Sequence, residues 1–125
     1  MKKAVNSNQA PAAVGPYSHA NTANGFVFVS GQLGIDPATG KMAEGTNAQA
    51  VQAFKNLENV LAACGSSAGL VVKTTVFLTD ITEFAEVNKL YADVFAAECP
   101  ARSCVQVAAL PMGGSFEIEA IAVQA

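Results

Sequence analysis

Arg102 is the only arginine among the 125 residues, and it stands at the start of an apolar run, 101-ARSCVQVAALP-111. Two carboxylates, Glu117 and Glu119, open the next run, 116-FEIEAIAV-123. A guanidinium beside apolar residues must satisfy five N–H donors in a fixed fork. Two outcomes are open: an ion pair with Glu117 or Glu119 inside the chain, or a fork left free to grip a ligand carboxylate in a bidentate manner. On a strand, Glu117 and Glu119 share one face, about 7 Å apart. Partial burial of such a pair raises one pKa and suits a general base acting on water. An exposed edge strand with two solvated acids is the plainer alternative. Arg102 and Cys104 likewise share a face of their own strand.

The elements that must position these groups are legible in part. Residues 25-GFVFVSGQ-32 read as a strand, followed by a turn at 36-DPATGK-41 and a short returning strand near Met42. Residues 4–20 read as a loop punctuated by Pro11, Gly15 and Pro16. A first helix begins at Thr46 or Asn47 as N-cap and ends before Gly65, with Val51, Phe54, Leu57, Leu61 and Cys64 as its apolar stripe and Lys55, Asn56, Glu58 and Asn59 opposite. Residues 71-VVKTTVFL-78 form a strand. In 80-DITE-83, Asp80 and Glu83 read as a capping box for a second helix that runs to Phe95, with Phe84, Val87, Tyr91, Val94 and Phe95 inward. Strands at 103–109 and 116–124 follow, joined by 110-LPMGGS-115 as a hairpin-type link.

Composition limits the functional classes. The chain is 51% hydrophobic and 14% charged, against about 25% charged in ordinary domains. Two helices cover one face of such a sheet, and the strands are apolar on both, which argues for a homo-oligomer. Six lysines, one arginine and ten acids give a net charge of -3 with no basic stripe, which argues against nucleic acid. No apolar run is long enough for a membrane span, and the N-terminal MKKAVNSNQ lacks the apolar core of a secretory signal. Cys64, Cys99 and Cys104 form no disulfide pattern, so a cytoplasmic location and a single domain over 1–125 are expected. His19, the sole histidine, has no triad partners and reads as a surface or loop residue. One histidine with scattered cysteines is poor material for a metal site. The glycines of 31-GQLG-34 precede no helix and read as a bulge or pocket wall, not a phosphate loop. Arg102 beside Cys104 is expected to favour a thiolate and make that cysteine sensitive to oxidation.

Several stretches together resemble one family. The segments 100-PARSCVQVAALP-111 and 117-EIEAIA-122 are similar to the C-terminal signature of the RidA (YjgF) family, and 15-GPYSHA-20, 29-VSGQLGIDPATG-40, 73-KTTVFLTDITEF-84 and 87-VNKLYADVF-95 resemble its other motifs in order. The resemblance implies an α+β, chorismate-mutase-like fold: one six-stranded mixed sheet with two helices on one face, assembled as a homotrimer with clefts between subunits. It implies hydrolysis of 2-imino acids or their enamine tautomers (2-iminobutanoate, 2-iminopropanoate/2-aminoacrylate) to 2-keto acids and ammonia, without metal or cofactor, protecting pyridoxal-phosphate enzymes such as the dehydratases that release these intermediates. Carried onto this chain, Arg102 grips the substrate carboxylate and Glu117 activates water. Ser30, Gly31 and Cys104 line the pocket, and Tyr17 and Asn88 shape it. Phe116 departs from the aliphatic residue usual before the glutamate, and the 113-GGS-115 linker is looser than in many members.

Overall fold

The computed structural model describes all 125 residues. In chain order the elements are β1 (Lys3–Val5), β2 (Ala20–Ala23), β3 (Phe26–Leu33), α1 (Thr46–Ala63), β4 (Val71–Leu78), α2 (Phe84–Val94), β5 (Ala101–Gln106) and β6 (Phe116–Val123). The strands form one six-stranded sheet in the order β1-β2-β3-β6-β4-β5. Only β4 and β5 run parallel, linked by α2 as crossover, so the sheet is mixed as the resemblance implies.

Several expectations need correction. β1 and β2 lie in or beside the segment read as loop; at three and four residues they are too short to show a period of two. Met42 makes one isolated bridge to Ile35 and no strand. The 110–115 segment is no hairpin. β4 lies between β5 and β6, and the chain crosses that strand's end through a tight turn at Pro111–Gly113. β5 starts at Ala101 and stops at Gln106, earlier than expected at both ends.

The α1 N-cap is Gly45 at φ 87°, and Thr46 is the first helical residue, its Oγ1 2.8 Å from Ser115 Oγ. Gly65, just past the helix, has φ 72°, the left-handed value that glycine adopts at little cost. Asp80 caps a single tight turn, accepting from Thr82 N at 2.9 Å. Glu83 does not reach back, and α2 starts one residue later.

Both helices pack on one sheet face. Val27, Val29, Val76, Leu78, Phe116 and Ile118 meet Phe54, Leu57, Leu61, Val87, Tyr91 and Phe95 there. Burying each such side chain contributes about 1.5–3 kcal/mol. Phe116 is fully buried and stands edge-on to Phe54 at 5.4 Å between ring centroids, so the larger ring is absorbed by the core. Val51, expected inside, is exposed, whereas Asn56, expected outside, is fully buried. Its Nδ2 donates to Leu33 O at 3.0 Å and Ile35 O at 2.9 Å, satisfying the carbonyls where β3 leaves the sheet. The other sheet face carries Phe28 (46% exposed) and Val105 (43% exposed). That is an apolar surface with no intrachain cover. No helix is long and apolar enough to cross a membrane.

Candidate active site

The site begins with a fault in the sheet. Between β3 and β6, Val29 pairs with Ala120 but Gln32 pairs with Ile118, so β3 spends one extra residue over Ser30 and Gly31. This bulge, anticipated from the glycine spacing, re-aims the strand next to Glu117. Ser30 is tied down on its inner side: its N–H donates to His19 O at 2.9 Å and its hydroxyl to Ser18 O at 2.6 Å. Glu117 lies directly over Gly31. A Cβ at residue 31 would stand 2.6 Å from Glu117 Oε2 and 2.8 Å from its carboxyl carbon, so only glycine admits the carboxylate here.

Tyr17, Ser30, Gly31 and Glu117 line one cavity of about 450 Å³, with Val14, Leu33, Ile35, Pro111 and Met112 as its apolar wall. Burial pushes the Glu117 carboxyl above its ordinary value, and the charge of Glu119 pushes the same way. Glu119 itself is exposed. The two acids share a face but differ in burial, a difference their sequence spacing could not give.

Arg102 lies elsewhere. On β5 it pairs with Thr74 and Cys104 pairs with Val76, two β4 residues buried toward the helices. Glu117 pairs with Phe77 and faces the opposite side. Within one chain, Arg102 and Glu117 therefore project from opposite faces of the sheet, and the intrachain ion pair does not form. The sole ion pair is the exposed Lys89–Glu86 at 3.5 Å. Arg102 Nη1 instead donates to Asn88 Oδ1 at 2.7 Å. Its guanidinium carbon stands 4.7 Å from the Tyr91 ring centroid and 5.1 Å from that of Phe84, within cation–π range. The Tyr91 hydroxyl is held by Thr74 Oγ1 at 2.7 Å. An amide and two rings fix the plane of the fork while its remaining donors meet no protein acceptor. Arg102, Cys104, Ile81 and Phe84 line a second, shallower cavity of about 410 Å³.

The expected groups thus form two clusters: Tyr17, Ser30, Gly31 and Glu117 in one, Asn88, Arg102 and Cys104 in the other. The thiolate expected at Cys104 is not favoured by its surroundings. Burial raises its pKa by more than the nearby Arg102 lowers it. His19 is not at the surface; it is 4% exposed, with both ring nitrogens hydrogen-bonded. Phe84 and Tyr91 were read only as core. With Asn88 they recur at four- and three-residue spacing on one helix face, the signal for a shared arginine clamp. Met112, at the cavity rim with φ 58°, gave no sequence signal. No group of three or more His, Cys, Asp or Glu side chains is arranged to hold a metal ion.

The family model described as Endoribonuclease L-PSP matches residues 7–124. A rat protein named 2-iminobutanoate/2-iminopropanoate deaminase is 48% identical over 125 residues, covering 99% of this chain and 91% of the relative. The crystal structure of the yeast protein YEO7 superposes with a TM-score of 0.97 at 46% identity, covering 100% of both chains. That of E. coli TdcF with bound serine gives 0.90 at 41% identity, covering 98% of this chain and 99% of the other. The motifs, the bulged six-stranded sheet and these full-length matches agree, and the chain belongs to the Endoribonuclease L-PSP family, the YjgF/RidA group.

Proposed function

We propose that this protein hydrolyses 2-imino acids and their enamine tautomers to 2-keto acids and ammonia, with Glu117 as base and Arg102 as carboxylate clamp. The observation that carries the proposal is the Glu117 carboxylate, half-buried over Gly31 with its pKa raised, in a cavity otherwise lined largely by apolar groups. A base whose pKa is drawn toward neutrality both takes and returns a proton effectively. As water attacks C2, Glu117 accepts its proton, a C2–O bond forms and the C=N electron pair passes to nitrogen, which takes that proton from Glu117. The resulting carbinolamine collapses: its hydroxyl proton passes through Glu117 to nitrogen, the C2–N bond breaks, the carbonyl forms and ammonia leaves. Water is the only co-reactant. Tyr17, Ser30 and Gly31 shape the pocket around C2, and Asn88 and Cys104 border the clamp.

Because Arg102 and Glu117 leave opposite sheet faces, this reading needs two copies, the Arg102 edge of one closing the Glu117 cavity of the next. The uncovered apolar face supports such packing, and a homotrimer is the assembly the family resemblance implies. The rat relative's name and the serine bound to TdcF, a small amino acid with a carboxylate, fit the same substrate class. Further parts of the proposal are one domain over residues 1–125, a cytoplasmic location supported by three free cysteines, and a functional link to pyridoxal-phosphate dehydratases. The RNA cleavage suggested by the family description has the net charge of -3 against it.

The test is a coupled assay. A dehydratase generates 2-iminobutanoate or 2-iminopropanoate, and keto acid release is followed with a competing amine trap present. Wild type is expected to accelerate release, and Arg102→Ala and Glu117→Ala each to abolish the acceleration. Release at the spontaneous rate with wild type would sink the proposal.

A further inference from the structure

The loop over residues 6–19 leaves β1, runs along the cavity and returns into β2, placing Val14 and Tyr17 in the cavity wall. Little of its own packing holds it there. Ala10 is buried, and Gln9 O accepts from Asn59 Nδ2 at 2.8 Å. Ser18 O accepts from the Ser30 hydroxyl at 2.6 Å, and the remaining long-range ties meet at His19. Its backbone N–H donates to Asn6 Oδ1 at 2.9 Å, and its backbone carbonyl accepts from Ser30 N at 2.9 Å. Its ring spans the loop: Nδ1 stands 3.0 Å from Ser7 N, and Nε2 2.7 Å from Pro11 O.

These partners dictate one protonation state. Ser7 N–H can only donate, so Nδ1 must be the acceptor; Pro11 carbonyl can only accept, so Nε2 must carry the proton. An imidazolium has no acceptor, and the other neutral tautomer presents a donor to a donor and a lone pair to a lone pair. The same residue thus joins the start of the loop, its middle and the Ser30 bulge beneath Glu117.

We propose that His19 is a positioning residue of the active site: as a neutral imidazole protonated on Nε2, it latches the 6–19 loop against the bulge and so holds Tyr17 at the cavity. The latch itself is a matter of geometry; its effect on turnover rests on the deaminase reading. His19 touches no reacting atom in this scheme, so its loss acts on substrate binding before chemistry.

Because His19 is the only histidine, the ring ¹⁵N–¹H signals of the labelled full chain report it without ambiguity. Near neutral pH we expect a single Nε2–H tautomer and a slowly exchanging Ser7 amide. A predominant Nδ1–H tautomer, or rapid exchange at Ser7, would overturn the latch whatever the enzyme's activity. His19→Ala is expected to lose the Ser7 protection and raise KM about tenfold with kcat nearly unchanged, as expected for two hydrogen bonds. His19→Gln, whose amide offers both an acceptor and a donor, should recover most of that loss. An unchanged KM in a folded His19→Ala variant with Ser7 exposed would refute the positioning role. Should the alanine variant not fold, the tautomer and the Gln variant still decide: KM raised tenfold in His19→Gln would count against the latch. Absence of activity in wild type alongside the Nε2–H tautomer would refute the deaminase reading and leave the latch standing.

Discussion

Gly31→Ala separates folding from chemistry at a single methyl group. Residue 31 has an ordinary backbone conformation, so alanine brings no φ strain. Its Cβ would lie 2.6 Å from Glu117 Oε2, where ordinary contact begins at 3.4 Å. The difference, 3.4 minus 2.6, means the carboxylate must retreat by about 0.8 Å. It is the far end of a flexible side chain facing a cavity, so the retreat costs the fold little. We expect the melting temperature to stay within about 5 °C of wild type. A misplacement near 1 Å of a catalytic group costs about 100-fold in rate. The coupled imine assay should therefore show kcat down about 100-fold in a protein of unchanged stability. Gly34→Ala is the contrast. Its Cβ would collide with Gln49 Cα and O, backbone of α1 that has nowhere to go. That overpacking should cost about 3 kcal/mol of stability. Wild-type turnover by Gly31→Ala would refute the placement of Glu117 as base.

Glu117→Gln keeps the shape and removes the base, so turnover should fall at least about 100-fold. Its stability effect has a definite sign. Burial and Glu119 raise the folded pKa of Glu117, so the native state binds this proton more tightly than the unfolded chain; that contribution is present below the unfolded pKa and lost as pH rises through the folded one. Wild type should thus melt below Glu117→Gln at pH 7 to 8, with the gap closing toward pH 4, and equal melting curves at both pH values would contradict the buried-carboxylate account. Asn56→Leu orphans the Leu33 and Ile35 carbonyls and should cost about 3 kcal/mol in denaturant unfolding, whereas a change below about 1 would show that water replaces the amide. Thiol labelling near neutral pH should modify the exposed Cys99 at least about tenfold faster than Cys104, whose pKa burial raises; faster labelling of Cys104 would restore the thiolate expectation.

Long periodic elements were readable because many residues vote together. β4 is bounded correctly at Val71 and Leu78, and α2 ends within a residue of Phe95, but it starts at Phe84, three residues beyond the start that an Asp80 cap implies. The bulge at Ser30–Gly31 was legible from a glycine at the end of a strong strand. β1 was not: three residues, two of them exposed, carry no pattern. Asn56 was misassigned because an amide that satisfies two strand-end carbonyls has the composition of a surface residue and the location of a core one. The site itself was legible as residue types but not as an arrangement. Which face Arg102 shares with Glu117 depends on the pairing of β5 and β6 with β4, and the hairpin assumption removed the strand between them. His19 lies in a loop, one of its two expected placements, but its burial is not legible because its partners, a backbone N–H and a backbone carbonyl, leave no trace in residue identities.

The central claim is that catalysis needs Arg102 from one copy and Glu117 from the next. Arg102→Ala and Glu117→Ala proteins, each inactive alone, can be co-expressed in equal amounts and the mixed oligomers assayed for imine hydrolysis. If each site draws its arginine and glutamate from different copies in a ring, about a quarter of the sites in a random mixture regain both groups, and about a quarter of wild-type activity should return. Mixed oligomers with no activity above either parent would contradict the account.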